Sequence, residues 1–268
     1  MKIRIRFVLN GIVVALLGVL LFGLFLRLYL LPNLTGPTFG DRPASAQIPL
    51  PIGSLPAQPA GLVAQSGAPD GTLQSVGSGF HLRIGDRVLG VMAAHSLGLP
   101  LQPDQLESVV LVDPITLLPV SSSQAFWGQP GRSRIFGMDL RVDYALLALD
   151  VEPDAVWALL PDARGGPMVG ENVVLDSGKL LQADGRRRAN GTVYSSDEHG
   201  AWVLMEGVPS PTGISGSPFL SEHTGRVVGM ALVAVWREQG LFIGMHPVGS
   251  LVEHGLQAES RLPMNLGG

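Results

Sequence analysis

The sequence predicts an all-β domain behind a single membrane-spanning helix, and three observations carry that expectation. From about residue 71 the chain breaks into short apolar or alternating runs: 73–83, 88–93, 108–112, 142–148, 172–176, 190–195, 201–206, 217–221, 226–235 and 241–247. Turn dipeptides punctuate them, with Gly-Asp at 85–86, Asp-Gly at 184–185, Asn-Gly at 190–191 and Thr-Gly at 224–225. Ahead of all this, residues 7–26 form one uninterrupted apolar stretch. Many short strands at such spacing build a sandwich or small barrels. The roughly 190 residues involved suffice for two small barrels sharing a cleft or for one large sandwich, and the pattern does not choose.

Each element follows from its residues. The stretch FVLNGIVVALLGVLLFGLFL carries no charge and one amide, Asn10. Twenty residues at the helical rise cover about 30 Å, the thickness of the hydrocarbon core. Lys2, Arg4 and Arg6 precede it with no acid, so the N-terminus is expected in the cytoplasm and everything after Leu31 outside it. A cleaved signal peptide would place a small-residue site close behind a shorter apolar core. The A-x-A triplet Ala44-Ser45-Ala46 lies well beyond the run, which favours an anchor over residues 1–31. Residues 32–70 are rich in Pro, Gly, Ala and Ser and read as a linker, with IPLPIGSL apolar enough to pack on a neighbour. Two later stretches have helical character: 153–160 and a short terminal helix at 250–258. The domain is expected over 71–262, with 263–268 as a tail.

The composition bounds the chemistry. The 268 residues are 46% apolar, which excludes a wholly disordered chain. There is no Cys, hence no disulfide, thiolate metal site or cysteine nucleophile. The formal net charge is −4. Residues 1–31 hold Lys2, Arg4, Arg6 and Arg27 and no acid, so the remainder is more acidic still. That balance argues against nucleic acid as a partner. No His-x-x-x-His spacing or carboxylate cluster points to a metal, and no cofactor is implied.

Three segments stand out together. The first is Gly77-Ser78-Gly79-Phe80, followed after a turn by Val91-Met92-Ala93-Ala94-His95-Ser96; the second is Asp143-Tyr144-Ala145-Leu146-Leu147; the third is Gly213-Ile214-Ser215-Gly216-Ser217-Pro218. A serine hydroxyl needs a base to take its proton as it attacks. Imidazole has a pKa near ambient and serves as base, then acid. A buried carboxylate fixes the imidazole tautomer and stabilises the imidazolium. Backbone N–H groups that converge on an oxyanion need a sharp turn, which Gly213 permits.

These segments resemble the trypsin-like (chymotrypsin-fold) serine proteases. The flanks look most like the HtrA/Deg branch, through Gly77-Ser78-Gly79-Phe80, Val169-Gly170-Glu171-Asn172-Val173-Val174, Gly225-Arg226-Val227-Val228-Gly229-Met230 and Ile243-Gly244-Met245-His246-Pro247-Val248. The resemblance runs over about 72–258. It implies two six-stranded antiparallel β-barrels with a short C-terminal helix and an acyl-transfer mechanism. It makes Ser215 the nucleophile, His95 the general base and Asp143 its orienter, with the N–H groups of Gly213 and Ser215 as oxyanion hole. Its substrate is a protein or peptide.

The chain departs from that pattern at two places. Ile214 replaces the Asp or Asn usual before the nucleophile, which removes the loop's polar tether. No PDZ-sized sequence follows residue 262, so no PDZ module is expected. By the same resemblance, Pro209, Ser210, Leu232, Val233 and Ala234 wall the specificity pocket. None is charged, which favours small or aliphatic side chains. Asp139 and Asp150 flank Asp143 but border the apolar strand rather than open it. The other histidines read as surface or structural, Asp176-Ser177-Gly178 as an ordinary turn, and Arg186-Arg187-Arg188 as a solvated hairpin tip. A rival reading is a degenerate protease-fold module that binds peptides without cutting. An esterase on the same triad is a third. The oligomeric state is not legible.

Overall fold

The computed structural model describes residues 17–20, 22–23, 37, 39–48, 52–58, 60–98, 106–132, 139–179, 182–208 and 210–264. Of the apolar stretch 7–26 it describes only 17–20 and 22–23, which are helical. Among the described residues no helix is long and apolar enough to cross a membrane.

The second half of the domain is a closed antiparallel barrel. Its strands are β9 (Asn172–Asp176), β10 (Arg188–Asp197), β11 (Gly200–Met205), β12 (Pro218–Ser221), β13 (Val227–Arg237) and β14 (Gly240–Pro247). They close in the order β10-β11-β14-β13-β12-β9. Alternation decides which side chains enter: Val173, Leu175, Val193, Val203, Phe219, Ile243 and Met245 fill the interior. The β10–β11 turn is tied by Asp197, whose carboxylate accepts the N–H of His199 at 2.7 Å and of Gly200 at 3.2 Å. Asn190-Gly191, expected as a turn, lies inside β10, where the strand pairs with both β9 and β11.

The first half departs from the expected six-stranded barrel. Its strands are β1 (Leu62–Gly67), β2 (Leu73–Ile84), β3 (Arg87–Met92), β4 (Ser108–Val112), β5 (Pro119–Ser123), β6 (Ala125–Trp127), β7 (Ala145–Leu147), β8 (Ala158–Leu159) and β15 (Arg261–Pro263). They form one nine-stranded sheet, ordered β15-β6-β7-β3-β2-β1-β4-β5 with β8 on β2, and this strand ladder is not a closed barrel, although the N–H of Asp150, just past β7, reaches Ser122 O on β5 at 3.0 Å. The break falls at Gln124, the single residue between β5 and β6. There the Ser123 hydroxyl lies 2.7 Å from the carbonyls of both Ala125 and Ala148. The chain therefore bends at Gln124, pairing β5 with β4 before the bend and β6 with β7 after it.

Two expected boundaries move. Residues 62–67, expected in the linker, form β1 between β2 and β4, and Leu62 and Ala64 are buried in the core. At the other end Met264 is buried behind β15. The terminal helix α1 spans Val248–Gln257, against an expected 250–258. Val248 and Leu251 join a core cluster with Phe80, Leu82, Phe242 and Trp202, which packs the sheet against the barrel's outer face. Residues 155–157 make one 3₁₀ turn leading into β8.

Much of the expected linker lies on the barrel. Phe39 stacks on Phe242 at 3.8 Å between ring centroids and meets Tyr194 and Trp202 edge-on. The Tyr194 hydroxyl bonds the Gly40 carbonyl, and the Ala46 N–H bonds Gly170 O at 3.0 Å. Pro-rich chain cannot form a central strand, but here its backbone groups find partners on the barrel.

Candidate active site

The loop between β3 and β4 opens with a 3₁₀ turn over Ala94–Leu97, closed by Gly98 in the left-handed region. His95 sits on this turn. A second 3₁₀ turn, Leu140–Val142, is capped by Asp139, whose carboxylate accepts the Arg141 N–H at 3.1 Å. It ends at Asp143, which is buried. The two turns meet through Asp143: one carboxylate oxygen accepts the His95 backbone N–H at 3.0 Å, and the other lies 2.7 Å from His95 Nδ1. A carboxylate accepts only, so Nδ1 carries the hydrogen, which in a neutral ring leaves Nε2 as the acceptor. Of the other two acids weighed, Asp139 caps its turn and Asp150 pairs with Arg261 at 3.0 Å, which leaves Asp143 with the imidazole.

Ser215 lies on the turn leading into β12. Gly213 adopts φ +79°, a conformation that L side chains rarely adopt. The turn is docked on β2: Ser78 N–H donates to Ser215 O at 3.0 Å, and the Ser78 hydroxyl donates to Gly213 O at 2.8 Å. Gly77 marks the meeting point of the segments that carry Ser215 and His95, since a Cβ there would lie 3.1 Å from both Ser215 O and Ser96 Oγ. The N–H groups of Gly213 and Ser215 have no hydrogen-bond acceptor among the described residues. Ile214 is 2% exposed and packs inside the barrel. The usual polar tether is thus replaced by burial of an apolar side chain.

The Ser215 hydroxyl does not hydrogen-bond His95. It donates to the carbonyl of Leu232 at 2.8 Å. Leu232 is a β-bulge residue: the β13–β14 register jumps between Ala231 and Val233, which frees that carbonyl from the ladder. Of the remaining expected pocket residues, Val233 and Ala234 are half-buried and follow the bulge. Ser210 is exposed and its hydroxyl lies 3.0 Å from that of Thr212. Pro209 lies outside the described residues. A cavity of about 320 Å³ opens beside His95, lined by Ser66, Thr72, Gln74, Val76, Ser96 and Leu97 among others.

Sequence reasoning missed the layer behind Asp143. His246 is fully buried, and its ring nitrogens lie 3.0 Å from Pro247 O and 2.9 Å from Arg141 O. Burial holds its pKa down at about 4, against the pull of those carbonyls. Tyr144 stacks on His254 at 4.3 Å and meets His246 edge-on, and burial raises the Tyr144 phenol. These rings pack next to the turn that carries Asp143. No group of three or more His, Cys, Asp or Glu among the described residues is arranged to hold a metal.

No family model matches the chain, and no curated protein matches it. Among solved structures it resembles the serine endoprotease from Yersinia pestis, with 14% identity and a TM-score of 0.50 over 75% of this chain and 65% of that one. It also resembles the scabies mite inactivated protease paralogue S-I1, with 19% identity and a TM-score of 0.50 over 73% of this chain and 92% of that one. The chain thus spans a little under two thirds of the Yersinia protein. The fold is that of the chymotrypsin-like serine endoproteases.

Proposed function

We propose that the protein is a serine endopeptidase of the HtrA/Deg type, held at the membrane by residues 7–26 with its protease domain on the extracytoplasmic side. The observation that carries this reading is the two-point attachment of His95 to Asp143 beside a glycine turn that bears Ser215. In the reaction, His95 Nε2 takes the proton of the Ser215 hydroxyl as the oxygen attacks the scissile carbonyl. Asp143 holds Nδ1–H and stabilises the imidazolium that forms. The N–H groups of Gly213 and Ser215 receive the oxyanion. The imidazolium then protonates the leaving amine, and water repeats the sequence to release the acyl group. No metal or cofactor is needed for these steps. The uncharged stretch Leu232–Ala234, with Pro209 and Ser210, suits small or aliphatic side chains in the pocket.

A second reading, a protease-fold module that binds peptides without cutting them, draws on one observation: the Ser215 hydroxyl rests on Leu232 O rather than on His95. One of the fold neighbours is itself described as an inactivated paralogue. A fluorophosphonate separates the two. The endopeptidase reading expects stoichiometric labelling of full-length protein at Ser215 and none in Ser215→Ala. Absence of labelling, with no cleavage of casein, selects the binding module. Membrane anchoring is tested separately, by whether deletion of 1–31 moves the protein from the membrane to the soluble fraction.

A further inference from the structure

The turn that carries Ser215 is gripped from behind by a chain of hydroxyls that the triad does not include. Ser78 is fully buried on β2, and its hydroxyl donates to Gly213 O at 2.8 Å. The Ser177 hydroxyl, also fully buried, lies 3.4 Å from Ser78 Oγ. Because the single Ser78 proton is committed to Gly213 O, Ser177 is the donor in that contact. Ser177 Oγ in turn accepts the Lys179 N–H at 3.1 Å. The result is a head-to-tail chain, Lys179 N–H to Ser177 to Ser78 to Gly213 O, in which each link polarises the next.

The chain ends on Gly213, whose left-handed φ of +79° sets the direction of one proposed oxyanion donor. Ser78 also grips the other donor residue, because its backbone N–H bonds Ser215 O at 3.0 Å. The side chain of Lys179 covers the same glycine, its Cγ lying 3.0 Å from where a Gly213 Cβ would sit. Its ammonium donates to Ser75 Oγ at 2.6 Å, at the start of β2. The loop is therefore bracketed by groups from both halves of the domain. Ile214 offers it no polar anchor, and this chain of donors supplies one.

The geometry points to Ser78, backed by Ser177, as the positioning residue that holds the Gly213–Ser215 turn in its oxyanion-binding conformation. This role rests on the endopeptidase reading above. Ser78 touches neither substrate nor the reacting atoms. Its effect falls on the transition state, where the oxyanion forms, and not on ground-state binding.

The test compares wild type, Ser78→Ala, Ser78→Cys and Ser78→Thr in the full-length protein. The readouts are the rate of fluorophosphonate labelling at Ser215, kcat and KM on an internally quenched casein-derived peptide, and affinity for a peptide boronate. Ser78→Ala is expected to lower kcat and the labelling rate by about tenfold to hundredfold, less than the ~10²–10³ for loss of an oxyanion donor itself. KM should stay within about twofold, boronate affinity should fall in step with kcat, and Ser78→Thr should recover most of the loss. Where the alanine variant does not fold, the near-isosteric, weakly donating Ser78→Cys gives the same reading. A folded Ser78→Ala or Ser78→Cys that reacts at the rate of a reactive wild type overturns the role. Wild type that does not react at all overturns the endopeptidase reading, and this role with it.

Discussion

The hydroxyl of Ser215 donates to the carbonyl of Leu232 at 2.8 Å, while His95 is already fastened to Asp143. The imidazole and its carboxylate partner are joined, and the serine oxygen is turned aside. A rotation about the Ser215 Cα–Cβ bond is a staggered-to-staggered move and costs little. Loss of the orienter is a different matter. Asp143→Asn presents an amide to His95 Nδ1, and an amide oriented by the His95 backbone N–H favours the wrong imidazole tautomer. We expect kcat on a peptide substrate to fall by roughly 10³–10⁴ with KM little changed. An Asp143→Asn protein within tenfold of wild type rules out Asp143 as the orienter.

Ile214 makes a second prediction. The residue before Ser215 has no polar group to tether its loop; Ile214 is a core side chain among Val203, Phe219 and Ile243. Ile214→Asp buries a carboxylate without a partner and should cost on the order of 3–5 kcal/mol. Ile214→Val should cost about 0.5–1.5 kcal/mol. Urea unfolding of the two variants measures both. An Asp variant as stable as wild type shows that the side chain does not anchor the loop.

The barrel half was legible because short apolar runs bounded by turn residues mark its strands; on β9, Val173 and Leu175, two residues apart, both face the interior. The His95, Asp143 and Ser215 segments were legible because their neighbours are chemically unusual, and the structure brings the first two together. The hidden parts share a cause. Phe39, Ala60 and β1 sit in a Pro-rich run whose composition signals a stalk, and only tertiary contacts with the barrel override it. The bend at Gln124 leaves no turn dipeptide, and the group that bonds across it is one side-chain hydroxyl, that of Ser123. Ser78 was visible only as the middle of Gly77-Ser78-Gly79, where flanking glycines permit the close approach of another backbone.

Asp176 tests how firmly the Pro-rich run is held. Its buried carboxylate accepts the N–H groups of Ala60 at 3.0 Å and Gly61 at 3.5 Å, and Arg188 Nε at 2.8 Å. Arg188 also donates to Pro56 O and Gln58 O. Asp176→Ala leaves the guanidinium and two amides without their shared acceptor. We expect a loss of about 3–5 kcal/mol and faster proteolytic cutting between residues 52 and 61. Unchanged cutting there, at unchanged melting temperature, shows that the segment is held by other contacts.

A pH dependence follows from two buried histidines, His81 and His246. His81 is fully buried, its Nε2 lies 2.7 Å from Ser121 Oγ, and burial holds its pKa down at about 4. His246 is held at about 4 by the same cause. Unfolded, each reverts to about 6.5. Between those values the unfolded chain binds more protons than the folded one, so stability rises with pH. The contribution of each ring is complete above about pH 6.5 and is lost as pH falls towards about 4, on the order of 3 kcal/mol apiece. Asp162 works in a separate window. Burial acts to raise its pKa, but its bonds from Arg164 and Thr224 outweigh that and lower it, so its contribution is lost only below the ordinary carboxylate range. Urea midpoints at pH 7, 5.5 and 4 should therefore fall steeply for wild type. The fall should be shallower for His81→Gln, whose side chain stays neutral throughout. Equal slopes for the two proteins show that His81 does not resist protonation in the folded state.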